Sequence, residues 1–132
     1  MKLQKNTLFA LYSVLESAAR PGHQLSAREI ARRHRISAHH LAKVLHTLAR
    51  AGVVESVRGV GGGYRFAGNA KRLTLMDVIE LFEDGSATRR RAGAGVELAI
   101  GSVLDEIDEI AKATFRSITI ATMLKLVERQ RA

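Results

Sequence analysis

The chain has 132 residues, 46% of them hydrophobic, a formal net charge of +8 and no cysteine. That length suits one compact domain plus an accessory element, and the lack of cysteine excludes disulfides, thiolate catalysis and thiolate-held metal. Residues 1–70 hold 11 Lys and Arg against 3 Asp and Glu, with all five histidines, whereas residues 71–132 hold 10 against 10; a surplus confined to one half is the footprint of a polyanion such as DNA or RNA rather than of a generally basic surface.

The first helix is expected from about Asn6 to Arg20, with Leu8, Leu11, Tyr12, Leu15 and Ala19 on one face and Pro21-Gly22 ending it. Its apolar positions are interrupted by Asn6, Ser13, Glu16 and Ser17, so neither a signal peptide nor a membrane span is expected, and the expected location is cytoplasmic. Ser26-Ala27-Arg28-Glu29 is a capping box that opens a short helix to about His34, burying Ile30 and Ala31. Ser37 is the expected N-cap of a third helix with Leu41, Val44, Leu45 and Leu48 as its buried stripe.

That stripe leaves Ala38, His39, His40, Ala42, Lys43, His46, Thr47 and Arg50 pointing outward. If this helix reads DNA, its N-terminal residues enter the major groove. Ser37 and the first-turn N–H groups suit a phosphate, His39 and Lys43 are candidates for base edges, and Arg50, farther along, is a candidate for the backbone. The histidines read poorly as metal ligands, since no pair has the i, i+4 spacing of a helical site and no carboxylate accompanies them.

Gly52 ends the third helix as a residue tolerant of positive φ, and Val53–Val57 and Tyr64–Ala67 read as two strands joined by a glycine loop. Gly59, Gly61, Gly62 and Gly63 keep this loop free of bulk, so Arg58 at its foot can lie against a phosphate or in a minor groove. A dinucleotide loop fits poorly, because Tyr64 stands where its third glycine belongs and a strand follows instead of a helix. Thr74-Leu75-Met76-Asp77 is a second capping box, opening a helix through Glu83 with Val78, Ile79 and Phe82 inward. Helix, helix, helix, hairpin is winged-helix order.

Residues 84–95 read as a flexible loop containing Arg89-Arg90-Arg91, a charge run that favours solvent over a phosphate contact. From about Val96 to Arg116 a longer helix carries Ile100, Val103, Leu104, Ile107, Ile110 and Ala111 on one side, with Asp105, Glu106, Asp108 and Glu109 expected to face out. A rod of ~30 Å cannot bury such a stripe on so small a domain, so Ile100, Val103, Leu104, Ile107 and Ala111 are expected to join two copies of the chain. Ser117-Ile118-Thr119 then starts a last helix with Met123, Leu124 and Val127.

The fold class is therefore mainly α with a small β-hairpin, a winged helix-turn-helix domain plus a long dimerisation helix. Residues 1–83 form the expected DNA-binding domain, 84–95 the loop, and 96–132 the dimerisation helix and C-terminal helix.

The chain resembles the Rrf family of bacterial winged-helix regulators, the IscR, NsrR and CymR type. The resemblance rests on Met1-Lys2-Leu3, Glu29-Ile30-Ala31, Ile36-Ser37, Leu48 to Gly52, Ser56-Val57-Arg58-Gly59 through Gly61-Gly62-Gly63-Tyr64, Asp77-Val78-Ile79 and Ile118-Thr119. It implies a homodimer on a dyad-symmetric operator in double-stranded DNA. His40 and Lys43 look most like the NsrR branch, and Ala42 stands where the IscR type carries a Glu that tunes base choice.

Cluster-binding relatives place three cysteines in the stretch that here is Asp84 to Gly101, with none. By the same resemblance Leu8 occupies the place of the NsrR-like Asp ligand, and Gly101 approximates that of the IscR-like His. The chain reads as a clusterless member with no cofactor, either constitutive or answering to a small-molecule or protein effector. The favoured function is a sequence-specific transcriptional regulator that represses by occluding a promoter. The alternative is a winged-helix module that binds protein, with incidental DNA contact. No enzyme is expected, since no nucleophile elbow, H-E-x-x-H, phosphate loop or paired-carboxylate cleft is present.

Overall fold

The computed structural model describes residues 2–59, 62–83 and 93–131. Their order is α1 (Lys5–Ala18), α2 (Ala27–His34), α3 (Ala38–Arg50), β1 (Val54–Val57), β2 (Gly63–Phe66), α4 (Leu75–Ile79), α5 (Val96–Ser117) and α6 (Ile120–Arg131). Among the described residues no helix is long and apolar enough to cross a membrane.

The helix starts follow from their caps. Ser26 Oγ accepts from Glu29 N–H at 3.1 Å while the Glu29 carboxylate reaches back to the Ser26 N–H, and Thr74 and Asp77 repeat the exchange at α4. Ser37 Oγ accepts from His40 N–H and opens α3. Between α2 and α3 the chain turns at Arg35, whose φ of 55° makes it the one non-glycine residue at positive φ among those described. Ile36, buried immediately after it, anchors the turn in the core.

α1 runs through the middle of the body against α2, α3, α4, α6 and β2. Its innermost face is Thr7, Ala10, Ser13, Val14, Ser17 and Ala18. Of the apolar face read from the sequence, Leu11, Tyr12 and Leu15 pack half-buried against the core, Leu8 is half-buried and Ala19 is exposed. A helix enclosed by several neighbours lets their backbones approach where its side chains are small, and its long side chains reach sideways into the gaps. The buried hydroxyls are satisfied locally, with Ser13 donating to Phe9 O at 2.8 Å and Ser17 to Ser13 O at 2.9 Å.

The core is closed by Ile30, Leu41, Val44, Leu45, Leu48, Val54, Val78, Ile79 and Ile120, all nearly inaccessible. Each large aliphatic side chain among them contributes about 1.5–3 kcal/mol of burial. α4 is shorter than the expected helix through Glu83, because Leu81 and Phe82 tighten into i→i+3 bonds. That turn delivers Glu83 to the start of α1, where its carboxylate accepts from the Gln4 N–H at 3.2 Å and from the Thr7 hydroxyl. Gln4 supplies no side-chain cap of its own, so Glu83 provides one from a distance.

β1 and β2 pair antiparallel with Val54 opposite Phe66 and Val57 opposite Gly63. Leu25 adds a third short edge, exchanging two 2.8 Å backbone hydrogen bonds with Tyr64. A Cβ on Gly63 would sit 2.5 Å from Leu25 O, so only glycine permits this approach. A second isolated bridge joins Thr74 to Thr119, through Leu75 N–H to Ile118 O at 2.9 Å and Ile120 N–H to Leu73 O at 2.8 Å.

α5 has 22 residues and reaches about 33 Å. Its covered positions are Gly101 and Asp108, with Asp105 partly covered, which corrects the expectation that Asp105 and Asp108 face out. The uncovered positions include Val96, Ile100, Val103, Leu104, Ile107 and Ile110. The helix thus turns its small and acidic side inward and its aliphatic side to solvent, the reverse of a helix lying on its own domain. Ala111 is half-buried at the margin of that side. The expected loop at 84–95 and its Arg89-Arg90-Arg91 run lie outside the described residues except for 93–95.

Candidate nucleic-acid interface

The buried stripe of α3 comes out as read: Leu41, Val44, Leu45 and Leu48 face the core. Ala38, His39, His40, Ala42, Lys43, His46 and Arg50 are exposed, and Thr47 is half-buried. Ser37 is exposed and uses its oxygen as the acceptor of the cap, and the N–H groups of Ala38 and His39 have no partner within the helix.

Within this exposed face the side chains are not equivalent. His40 is turned toward α1, with its ring edge-on to Phe9 at 5.5 Å and 86° and its Nε2 in hydrogen-bond contact with Asn6 Oδ1. Lys43, Arg50 and the rings of His39 and His46 have no ion pair or ring contact with a described residue. His39 and Lys43, one turn apart, are therefore ready to meet a ligand without breaking a protein contact.

The hairpin repeats the distinction. Arg65 is paired with Glu55 directly across the strands, whereas Arg58, exposed at the end of β1, has no such partner among the described residues. Gly59 has a φ of 110°. Gly62 is packed against the turn, since a Cβ there would lie 2.5 Å from Val57 O. Gly62 and Gly63 thus serve the hairpin's own geometry, while Gly61 lies outside the described residues.

Sequence reasoning passed over the outer side of α2 and the turn after it. Arg28, Arg32 and Arg35 are exposed there, and Arg33 is held by Glu16. The i, i+4 spacing of Arg28 and Arg32, opposite Ile30 and Ala31, was the available signal. In helix-turn-helix proteins the helix preceding the reader crosses the phosphate backbone, which suits cations in this place.

A helix-turn-helix whose second helix presents an unpaired basic face, beside a hairpin carrying a free arginine, defines a winged-helix DNA-binding protein. The Rrf2 family model, described as an iron-dependent transcriptional regulator, matches residues 3–126. The chain belongs to this family and is a helix-turn-helix transcriptional regulator, not an enzyme. It is 52% identical over 134 residues to BadM of Rhodopseudomonas palustris, covering 99% of this chain and 86% of that protein. NsrR of Bacillus subtilis is 36% identical over 85 residues, 64% of this chain and 58% of NsrR. Among solved structures, T. potens IscR superposes with a TM-score of 0.75 at 26% identity, covering 100% of this chain and 92% of IscR. CymR of B. subtilis gives a TM-score of 0.77 at 25% identity over 95% of this chain and 97% of CymR.

The family description names iron, and the donors present do not fit an iron–sulfur centre. Such a cluster is held by thiolates, and the 132 residues contain no cysteine. Leu8 offers an aliphatic side chain from α1, Gly101 is a buried glycine on α5, and no group of three His, Asp or Glu side chains able to hold a metal occurs among the described residues.

Proposed function

We propose that this chain is a sequence-specific repressor that binds a dyad-symmetric operator as a homodimer and works without an iron–sulfur cluster. The observation that carries the reading is the division of α3 into a fully buried aliphatic stripe and an outer face where His39, Lys43 and Arg50 stand unpaired. Lys43 and His39 contact base edges, Ser37 and the N–H groups of Ala38 and His39 hold a phosphate, and Arg50 and Arg58 meet the backbone or the adjoining minor groove. His40, tied to Asn6 and Phe9, sets the tilt of α3 and meets DNA only at its rim. The wing glycines Gly59, Gly61, Gly62 and Gly63 allow the hairpin to approach.

Residues 1–83 act as the reading head and 96–132 as the arm joining two copies, linked through 84–95. The outward aliphatic side of α5 supports this arrangement, since a second copy of the same helix covers Ile100, Val103, Leu104, Ile107 and Ala111 by isologous contact. With DNA as its partner, the protein works in the cytoplasm.

The test is to select bound fragments from the host genome and titrate the recovered duplex against random DNA at two salt concentrations. A preference that survives high salt supports the reading. Equal affinity for both duplexes, vanishing together as salt rises, replaces it with a protein-interaction module whose DNA contact is incidental.

A further inference from the structure

Away from the α3 face, a pocket of about 290 Å³ lies between α1, the end of α2 and α6. Leu15 and Ala19 form its α1 side, and Leu124 and Val127 its α6 side. The rings of Tyr12 and His34 also line it, stacked 4.8 Å apart and 13° from parallel.

The polar groups are unevenly satisfied. Glu16 is engaged at both oxygens, one 3.3 Å from His34 Nε2 and the other bonded to Arg33 at 2.5 Å. Arg33 balances its charge. Arg131, also on the lining, is exposed and has no ion pair with a described residue, and the Tyr12 hydroxyl has no hydrogen bond with one. The site is therefore apolar in its walls and carries one uncompensated positive charge.

We propose that this pocket is an effector site for a small apolar carboxylic acid, whose hydrocarbon part fills the slot while its carboxylate pairs with Arg131. The assignment rests on the regulator reading above. The volume sits at the lower end of small-molecule sites and, at ~30 Å³ per water-sized group, holds roughly ten heavy atoms. A guanidinium binds a carboxylate bidentately, which selects an acid over its amide. The position suits regulation: His34 is the last residue of α2, and only Arg35, Ile36 and Ser37 separate it from α3. The opposite wall belongs to α6, which continues from α5. An occupant touches the reading head and the root of the arm together, and biases any equilibrium in their mutual angle by its differential affinity for the two states.

The test titrates the full chain with hexanoate, and with hexanamide as its uncharged counterpart, following backbone amide NMR signals. Hexanoate is expected to give saturable shifts around Tyr12, His34, Leu124 and Val127 with a dissociation constant of about 1 mM. Hexanamide, and hexanoate with Arg131→Gln, should bind about tenfold more weakly, the loss of one charge-assisted pair. Val127→Trp, which fills the slot, should abolish binding while thermal melting reports an intact fold.

Affinity for the genome-selected duplex should change several-fold with hexanoate in the parent and not in Arg131→Gln. Absent shifts, shifts confined to the aliphatic side of α5, or equal binding of the amide overturn the site. Binding that leaves DNA affinity unchanged overturns its role as an effector site. A protein with no preference for its selected duplex fails the function proposed above, a result read without any ligand present, whereas the NMR titration decides the pocket without any DNA present.

Discussion

On the homodimer proposed above, Ile107→Glu is expected to separate the two copies. Ile107 is 49% exposed at the middle of the uncovered side of α5, flanked by Val103, Leu104 and Ile110. Full burial of an isoleucine is worth about 1.5–3 kcal/mol, and half of its surface remains to be covered, so the lost contact is about 1 kcal/mol per copy. Two-fold symmetry places the substitution on both sides of the seam and doubles this to about 2 kcal/mol. Each introduced carboxylate must also be desolvated or protonated, which brings the total to roughly 4–6 kcal/mol. That raises the dimer dissociation constant by about three to four orders of magnitude. Sedimentation equilibrium over a concentration series measures it directly, and a far-ultraviolet circular dichroism spectrum like the parent's, taken where the variant is monomeric, shows that the reading head has kept its fold. Monomers should lose most of their operator affinity, because one half-site remains per molecule. A dimer of unchanged strength would remove this side of α5 from the interface, and a parent protein that is itself monomeric would refute the reasoning at its root.

Lys43→Ala should relax sequence preference within the half-site by about 1–3 kcal/mol, whereas Arg58→Ala should weaken all duplexes alike and reduce the salt slope by about one if Arg58 meets phosphate; parallel titrations of selected and random duplex separate the two, and parent-like behaviour of both variants would sink the DNA-reading face. Gly63→Ala should lower stability by about 1–3 kcal/mol, because its Cβ would lie 2.5 Å from Leu25 O; a denaturant midpoint equal to the parent's would mean that the Leu25 edge yields freely. Protein purified without oxygen should be colourless and bind its operator equally with or without iron, sulfide or nitric oxide, and a visible charge-transfer band with stoichiometric iron would refute the clusterless assignment.

What the sequence disclosed was governed by short-range chemistry. The Ser26–Glu29 and Thr74–Asp77 boxes and the Ser37 cap each act over three residues, so their spacing located three helix starts and, with them, the outer face of α3. Large aliphatic side chains do not reveal the innermost face of α1, because close approach by several neighbours selects Ala10, Ser13 and Ser17 there. Asp108 differs from expectation for a related reason, since its charge suggests solvent whereas its position on α5 is covered. The Leu25–Tyr64 bridge, the capping of α1 by Glu83 and the restraint of His40 by Asn6 join residues 39, 79 and 34 positions apart. No local pattern encodes such pairs, and the pocket behind Tyr12 and His34 likewise exists only once α6 has returned to α1.

The bridge between Thr74 and Thr119 makes the arm a detour. After α4 has contributed Val78 and Ile79 to the core, the chain departs and comes back beside the point it left, where Ile120 re-enters the same core. Because the bridge pins its two ends together, the length of chain between them bears little on where Ile120 re-enters the core. On the function proposed above, the spacing of two copies would then change with the detour while the residues that read DNA stay as they are.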